Sequence, residues 1–142
     1  MLFSNILVPY DGSSLAEVSL AKAIQFAQLD PSVKITVIHV AQISSKPAHT
    51  PTDLYNRYRA AVREEAEQLV EPLKGKLEQI PNSTELIIKS GSAAYVILQH
   101  ARDLGCDLII MGSRGLSGIK AYLGSVSHTI TQQSDIPVLL MK

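Results

Sequence analysis

The chain has 142 residues, 46% of them hydrophobic and 18% charged, which suits one globular domain over residues 1–142 with a full core. Thirteen basic residues balance thirteen acidic ones, so neither nucleic acid nor an anionic membrane surface is an expected partner. No apolar run approaches the roughly 18 residues that span a bilayer, and the opening octapeptide lacks the basic start of a signal peptide, so the cytoplasm is the expected compartment.

Residues 6–8, Ile-Leu-Val, lack polar alternation and read as a strand covered on both faces; Pro9-Tyr10-Asp11-Gly12-Ser13-Ser14 ends it with turn and N-cap chemistry. Helical spacing follows from Leu15 to Leu29 and stops at Asp30-Pro31. VKITVIHV, residues 33–40, is rich in β-branched residues and forms the second strand. His39 near its end reads as a structural histidine, because no second ligand stands at metal spacing. A polar loop with two prolines comes next. A long helical pattern from Thr52 to Ile80 carries a solvated charged face, and Pro72 is expected to kink or divide it. Asn82-Ser83-Thr84 matches a glycosylation sequon but carries no weight without a secretion signal.

A third strand spans residues 86–89, a helix residues 93–104 closed by Gly105, a fourth strand residues 107–112, a helix residues 126–133, and a fifth strand runs from Ile136 to Met141. Cys106, the single cysteine, precedes an apolar strand and reads as a buried, inert thiol. Strict alternation of strand and helix predicts an α/β fold: a doubly wound, Rossmann-like parallel sheet of five strands with helices on both faces. In such folds ligands lie beyond the carboxyl ends of the strands where strand order reverses, here between the first and fourth strands.

Two unusual loops converge on that point. One is Pro9-Tyr10-Asp11-Gly12. The other lies within DLIIMGSRGLSGIKAYLGS, residues 107–125, where Gly112, Gly115, Gly118 and Gly124 lead from a strand into a helix. Glycines there allow φ > 0 and close approach of a ligand, and a helix N-terminus offers unpaired N–H groups to an anion, so a phosphate cradle stands beside the plainer reading of a turn. A P-loop, a GxGxxG dinucleotide motif, an acidic phosphate-receiver site and a GxSxG nucleophile elbow are all absent.

Met111-Gly112-Ser113-Arg114-Gly115 followed by Gly124-Ser125-Val126, with Val8-Pro9-Tyr10-Asp11-Gly12-Ser13 before and Pro137-Val138-Leu139 after, resembles the universal stress protein family over essentially the whole chain. Its ATP-binding members carry G-x2-G-x9-G-[S/T]. The resemblance implies strand order 3-2-1-4-5 and a nucleotide-dependent regulatory or stress-response protein that binds ATP with magnesium. It implies that Asp11 and Val40 line the adenine and ribose side, and that Pro9 is also a nucleotide-binding residue. Met111, Gly112, Arg114 and Gly115 would wrap the ribose and first phosphates, while Gly124, Ser125 and Val126 would meet the terminal phosphates. Asp11 would bond a sugar hydroxyl or act through magnesium, unless it is only a turn residue. A homodimer through the last strand, Ile136 to Met141, is also implied; that strand reads as a sheet edge protected only by Pro137, unless a helix covers it.

One departure stands out. Eight residues, Leu116 to Leu123, separate Gly115 from Gly124 where the family has nine. The deficit either shortens the loop or turns the start of the next helix by about 100°; Gly118 supplies slack, and absorption in the loop is the expectation. Three readings of function follow: an ATP-binding regulator with an unidentified protein partner, a dimeric interaction module that binds no nucleotide, and a slow ATPase. No general base stands out, and His128 is expected to pack or cap in the helix that follows the glycines, so an enzyme is not expected.

Overall fold

Strands and helices alternate as β1 (Asn5–Pro9), α1 (Ser14–Leu29), β2 (Lys34–Ala41), α2 (Thr52–Glu78), β3 (Thr84–Ser90), α3 (Ala93–Asp103), β4 (Leu108–Gly112), α4 (Ser125–Gln133) and β5 (Val138–Met141). The structure is a computed structural model and describes residues 2–115 and 123–142. All strands pair in parallel in the order β3-β2-β1-β4-β5, as expected. Strand side chains alternate between faces: Ile6 and Val8 enter a core with α1 and α2, and Leu7 enters another with α3 and α4. All three are fully buried, which is why β1 shows no polar alternation. Each contributes about 1.5–3 kcal/mol through burial.

Local chemistry sets the helix ends. The Ser13 hydroxyl accepts from the Ala16 N–H at 3.1 Å and caps α1. Gly105 sits at φ 65° after α3; its N–H donates to Arg102 O and that of Cys106 to Ala101 O, the paired bonds of a Schellman close. Cys106 is buried, and burial with the neighbouring Asp107 charge pushes its thiol up to about 11, so it stays protonated at neutral pH. No helix among the described residues is long and apolar enough to cross a membrane.

At three places the structure adds to or departs from what the sequence suggested. Pro72 does not divide α2, which runs unbroken through 27 residues. Pro72 and Gln68, whose carbonyl loses its partner, both lie on the exposed face, where water can take up that carbonyl. The last strand begins at Val138 rather than Ile136: Pro137 has no N–H for the ladder, although its carbonyl accepts from Ile109 N–H at 3.0 Å. Asn82, set aside as an idle sequon, is buried, and its amide nitrogen donates to Ala27 O, Asp30 O and Val33 O at 2.9–3.1 Å. Two N–H groups thus serve three carbonyls and knot the chain where α1 passes into β2.

Asp107 performs a similar task at the start of β4. It accepts from the N–H and hydroxyl of Ser4, both at 2.8 Å, and from the Asn5 N–H at 3.0 Å. Burial opposes its charge, but these bonds prevail and hold the carboxyl below its usual range. Replacing Asn82 by Ala leaves buried carbonyls short of a donor and is expected to cost about 1–3 kcal/mol in urea unfolding. A variant as stable as wild type would contradict the role assigned to that side chain.

Candidate functional site

The ladder between β1 and β4 is short, pairing Ile6 with Leu108 and Leu7 with Ile109. Beyond it β1 stays with β2 as far as Pro9↔Ile38, and β4 stays with β5 as far as Gly112↔Met141. Tyr10 continues the first partnership by donating its N–H to Ile38 O at 2.8 Å. Between the parted ends lies a crevice of about 400 Å³, within the size range of small-molecule sites.

Pro9, Asp11, Val40, Met111, Gly112, Arg114, Gly115, Gly124, Ser125 and Val126, all singled out from sequence, line this one crevice. Tyr10, Ile38, His39, Gln42, Ala93, Ile97 and Ser127 also line it and were missed. Tyr10, His39, Gln42 and Ser127 were neighbours of named residues and could have been found by extending the motifs. Ala93 and Ile97 come from α3, which carries no local signal of a site.

Of the two uses expected of these glycines, positive φ and close approach, the structure shows close approach, here of the chain to itself. Gly112, Gly115 and Gly124 do not lie at positive φ; they let the chain approach itself. A Cβ on Gly112 would lie 2.7 Å from Leu15 Cβ, and one on Gly115 would lie 2.9 Å from Asp11 Oδ2. On Gly124 it would lie 3.1 Å from Arg114 Cα. The glycine motif is therefore a packing requirement of the fold itself. Gly118 lies outside the described residues, as does most of the eight-residue spacing.

Across that spacing α4 is tied to the end of β4. Ser113 O accepts from Gly124 N–H and from the Ser127 hydroxyl, both at 2.7 Å. Ser113 N–H donates to Met141 O at 2.9 Å. No side chain caps α4, so its first-turn N–H groups are left for the crevice that Ser125, Val126 and Ser127 line. His128 is exposed on α4 rather than packed.

On the opposite wall Asp11 Oδ1 accepts from Ser13 N–H at 3.0 Å, an Asx turn, while Oδ2 faces Gly115. Asp11 is thus a turn residue whose second oxygen remains on the crevice. His39 is structural, as expected, with Nδ1 2.7 Å from Tyr10 O, yet it also lines the crevice. The buried Tyr10 donates its hydroxyl to Glu17 Oε1, and Lys76 Nζ lies 2.9 Å from Glu17 Oε2. Burial, then the Glu17 bond, raises the Tyr10 phenol above its ordinary range. The hydrogen bond from Tyr10 holds the Glu17 carboxyl below its own, against burial and with help from Lys76. The loop after β2 is fastened to α2: Tyr55 donates its hydroxyl to Ser44 O at 2.6 Å, and Ser44 N–H donates to the Tyr58 hydroxyl at 3.2 Å. No cluster of three or more His, Cys, Asp or Glu side chains suited to a metal occurs among the described residues.

Parallel order, reversal between β1 and β4, and a crevice at that reversal define a doubly wound α/β domain with an open crevice at its switch point, the place where such folds take ligands. Within that class the chain belongs to the universal stress protein family, whose family model matches residues 2–142. It is 32% identical over 149 residues to universal stress protein YxiE of Bacillus subtilis, covering 99% of this chain and 100% of that one. The solved structure of MJ0577, a universal stress protein of Methanocaldococcus jannaschii, superposes with a TM-score of 0.87 at 31% identity, covering 100% of this chain and 97% of that one. A universal stress protein family protein from Arabidopsis thaliana, solved with AMP bound, shares the fold at a TM-score of 0.67 and 22% identity, over 98% and 91% of the two chains.

The Tyr10–Glu17–Lys76 chain makes a pH prediction. A carboxyl whose folded pKa is depressed adds stability above its unfolded value and loses it as pH falls through the folded one. The stability advantage of wild type over Glu17→Gln, read by thermal unfolding, should therefore be present at neutral pH and shrink between about pH 5 and pH 3. A difference that does not vary with pH would contradict the assigned ionisation of Glu17.

Proposed function

We propose that the protein binds an adenine nucleotide, ATP with magnesium, in the β1/β4 crevice and acts as a nucleotide-dependent regulatory protein of the stress-response type. The observation that carries this reading is the convergence of all ten residues of the family pattern on one crevice beside the uncapped start of α4. The AMP bound to the Arabidopsis protein belongs to the same ligand class.

Roles follow from chemistry. Val40, Pro9, Ile38 and Ile97 give an apolar wall to the purine and leave no polar atom unpaired against it. Met111, Gly112 and Gly115 pass close to the ribose and first phosphates, and the Arg114 guanidinium offers them a planar cation. Gly124, Ser125 and Val126 supply the α4 N-terminus and a hydroxyl to the terminal phosphates. Asp11 fits a magnesium nucleotide: magnesium is usually held by one or two carboxylates together with phosphate oxygens, and Asp11 has one oxygen uncommitted by its turn. Its alternative ligand is a ribose hydroxyl. The docking of α4 on Ser113 supports retention of the site despite the short spacing, because the helix start is fixed by β4 rather than by loop length.

Calorimetric titration of nucleotide-free protein with ATP and magnesium should give saturable binding, and folded Gly115→Val should give none, since any side chain there meets Asp11. No binding by folded wild type would overturn the reading and favour the interaction module that binds no nucleotide.

We also propose a homodimer through β5, an edge strand whose four residues are all half-buried in the single chain. The carbonyls of Pro137 and Met141 face β4, so by alternation the N–H and C=O groups of Val138 and Leu140 point to the open edge. Leu140→Pro removes an outward N–H without touching the β4 ladder. It should shift sedimentation from dimer to monomer; a wild type that sediments as a monomer, or a variant that still dimerises, would exclude this interface.

A further inference from the structure

Ser127 lies outside the family pattern, yet it is buried to 2% exposure at the crevice. Its hydroxyl lies 2.7 Å from Ser113 O and 3.0 Å from Gly124 O, and one proton serves two acceptors. Gly124 O already accepts from His128 N–H at 2.8 Å in the helix ladder, so the shorter bond to Ser113 is the one that only Ser127 can make from α4. With the Gly124 N–H, that bond gives the Ser113 carbonyl two donors, one for each lone pair. The preceding peptide, which carries the Ser113 N–H, is held in turn by Met141 O at 2.9 Å, so Ser113 is tied to β5 on one side and to α4 on the other.

The first turn of α4 is thus fastened at both ends to one carbonyl, that of Ser113 just beyond β4. Gly124 fixes its start, and Ser127, one turn along, fixes its rotation about its own axis. Rotation is what directs the N–H groups of the first turn, and it is the quantity that a missing residue in the preceding loop would disturb.

We propose that Ser127 is a positioning residue for the phosphate end of the bound nucleotide: its bond to Ser113 sets the angle at which the α4 N-terminus meets the terminal phosphates. The proposal rests on the nucleotide reading above and deepens it. Ser127 touches no phosphate in this scheme; it acts through the backbone it holds. Its effect therefore scales with the number of phosphates and leaves the purine and ribose contacts alone.

The test compares ATP with adenosine, in wild type, Ser127→Ala and Thr131→Ala. Thr131 is the control: its hydroxyl bonds only within α4, to Ser127 O and His128 O, so its loss perturbs the helix without releasing it from β4. Ser127→Ala should weaken ATP about five- to tenfold, the value of one lost hydrogen bond, with adenosine changed less than about twofold. Thr131→Ala should leave the ratio of the two affinities unchanged. In nucleotide-free protein, the Gly124 amide should exchange with solvent faster in Ser127→Ala than in wild type at equal global stability. That measurement also shows whether the variant is folded. Equal losses for ATP and adenosine, an unchanged ATP affinity, or unchanged exchange at Gly124 would overturn the role of Ser127 while leaving the nucleotide site standing. No binding of either ligand by folded wild type would overturn the nucleotide reading, and this proposal with it.

Discussion

The early end of the β1–β4 ladder is the constraint on which the rest of the molecule depends. Two parallel strands pair at Ile6↔Leu108 and Leu7↔Ile109, then each keeps to its other neighbour. Pro9 has no N–H to offer β4, and Tyr10 gives its own to β2. The helices after β1 and β4 lie on opposite faces, so no connection crosses the gap. Sequence, through a proline and a reversal of strand order, thereby opens a crevice in an otherwise continuous sheet.

Each wall of that crevice is braced from behind. On the β1 side, Tyr10 reaches Glu17 of α1, and Glu17 reaches Lys76 of α2, while the Tyr10 carbonyl holds His39 of β2. On the β4 side, the backbone of Ser113 joins β5, through its N–H, to the start of α4, through its carbonyl. Among the groups facing the space between, Asp11, His39 and Ser127 are each held by a neighbouring backbone group, beside small residues and an apolar wall. Such an arrangement is preorganised: little conformational freedom remains to be lost when a ligand enters. The glycines belong to the same design: a side chain on Gly112 would clash with Leu15, and one on Gly115 or Gly124 would crowd Asp11 or Arg114.

The sequence made the topology legible because its signals are local and repeated: apolar runs without alternation, helical periodicity between them, and stops at Asp30-Pro31 and Gly105. It also named the crevice wherever a motif marks it. What it hid were pairings between distant positions. Asn82 looked like an idle sequon, yet it serves carbonyls some 49 to 55 residues earlier. Ile97 reaches the crevice only because α3 crosses the sheet above it. Pro72 leaves α2 undivided, because on an exposed face solvent can replace the hydrogen bond it removes. Gly112 also meets a steric need that no local signal displays, since the atom it makes room for lies in α1, almost 100 residues away.

Backbone amide chemical-shift mapping during titration with magnesium ATP tests the central claim most directly, because it reports position rather than affinity alone. The account predicts saturating shifts at Asp11, Val40, Gly112, Gly115 and the Gly124 to Ser127 turn, with β3 and the outer face of α2 silent. Shifts confined to another surface, or none at saturating ligand, would contradict it.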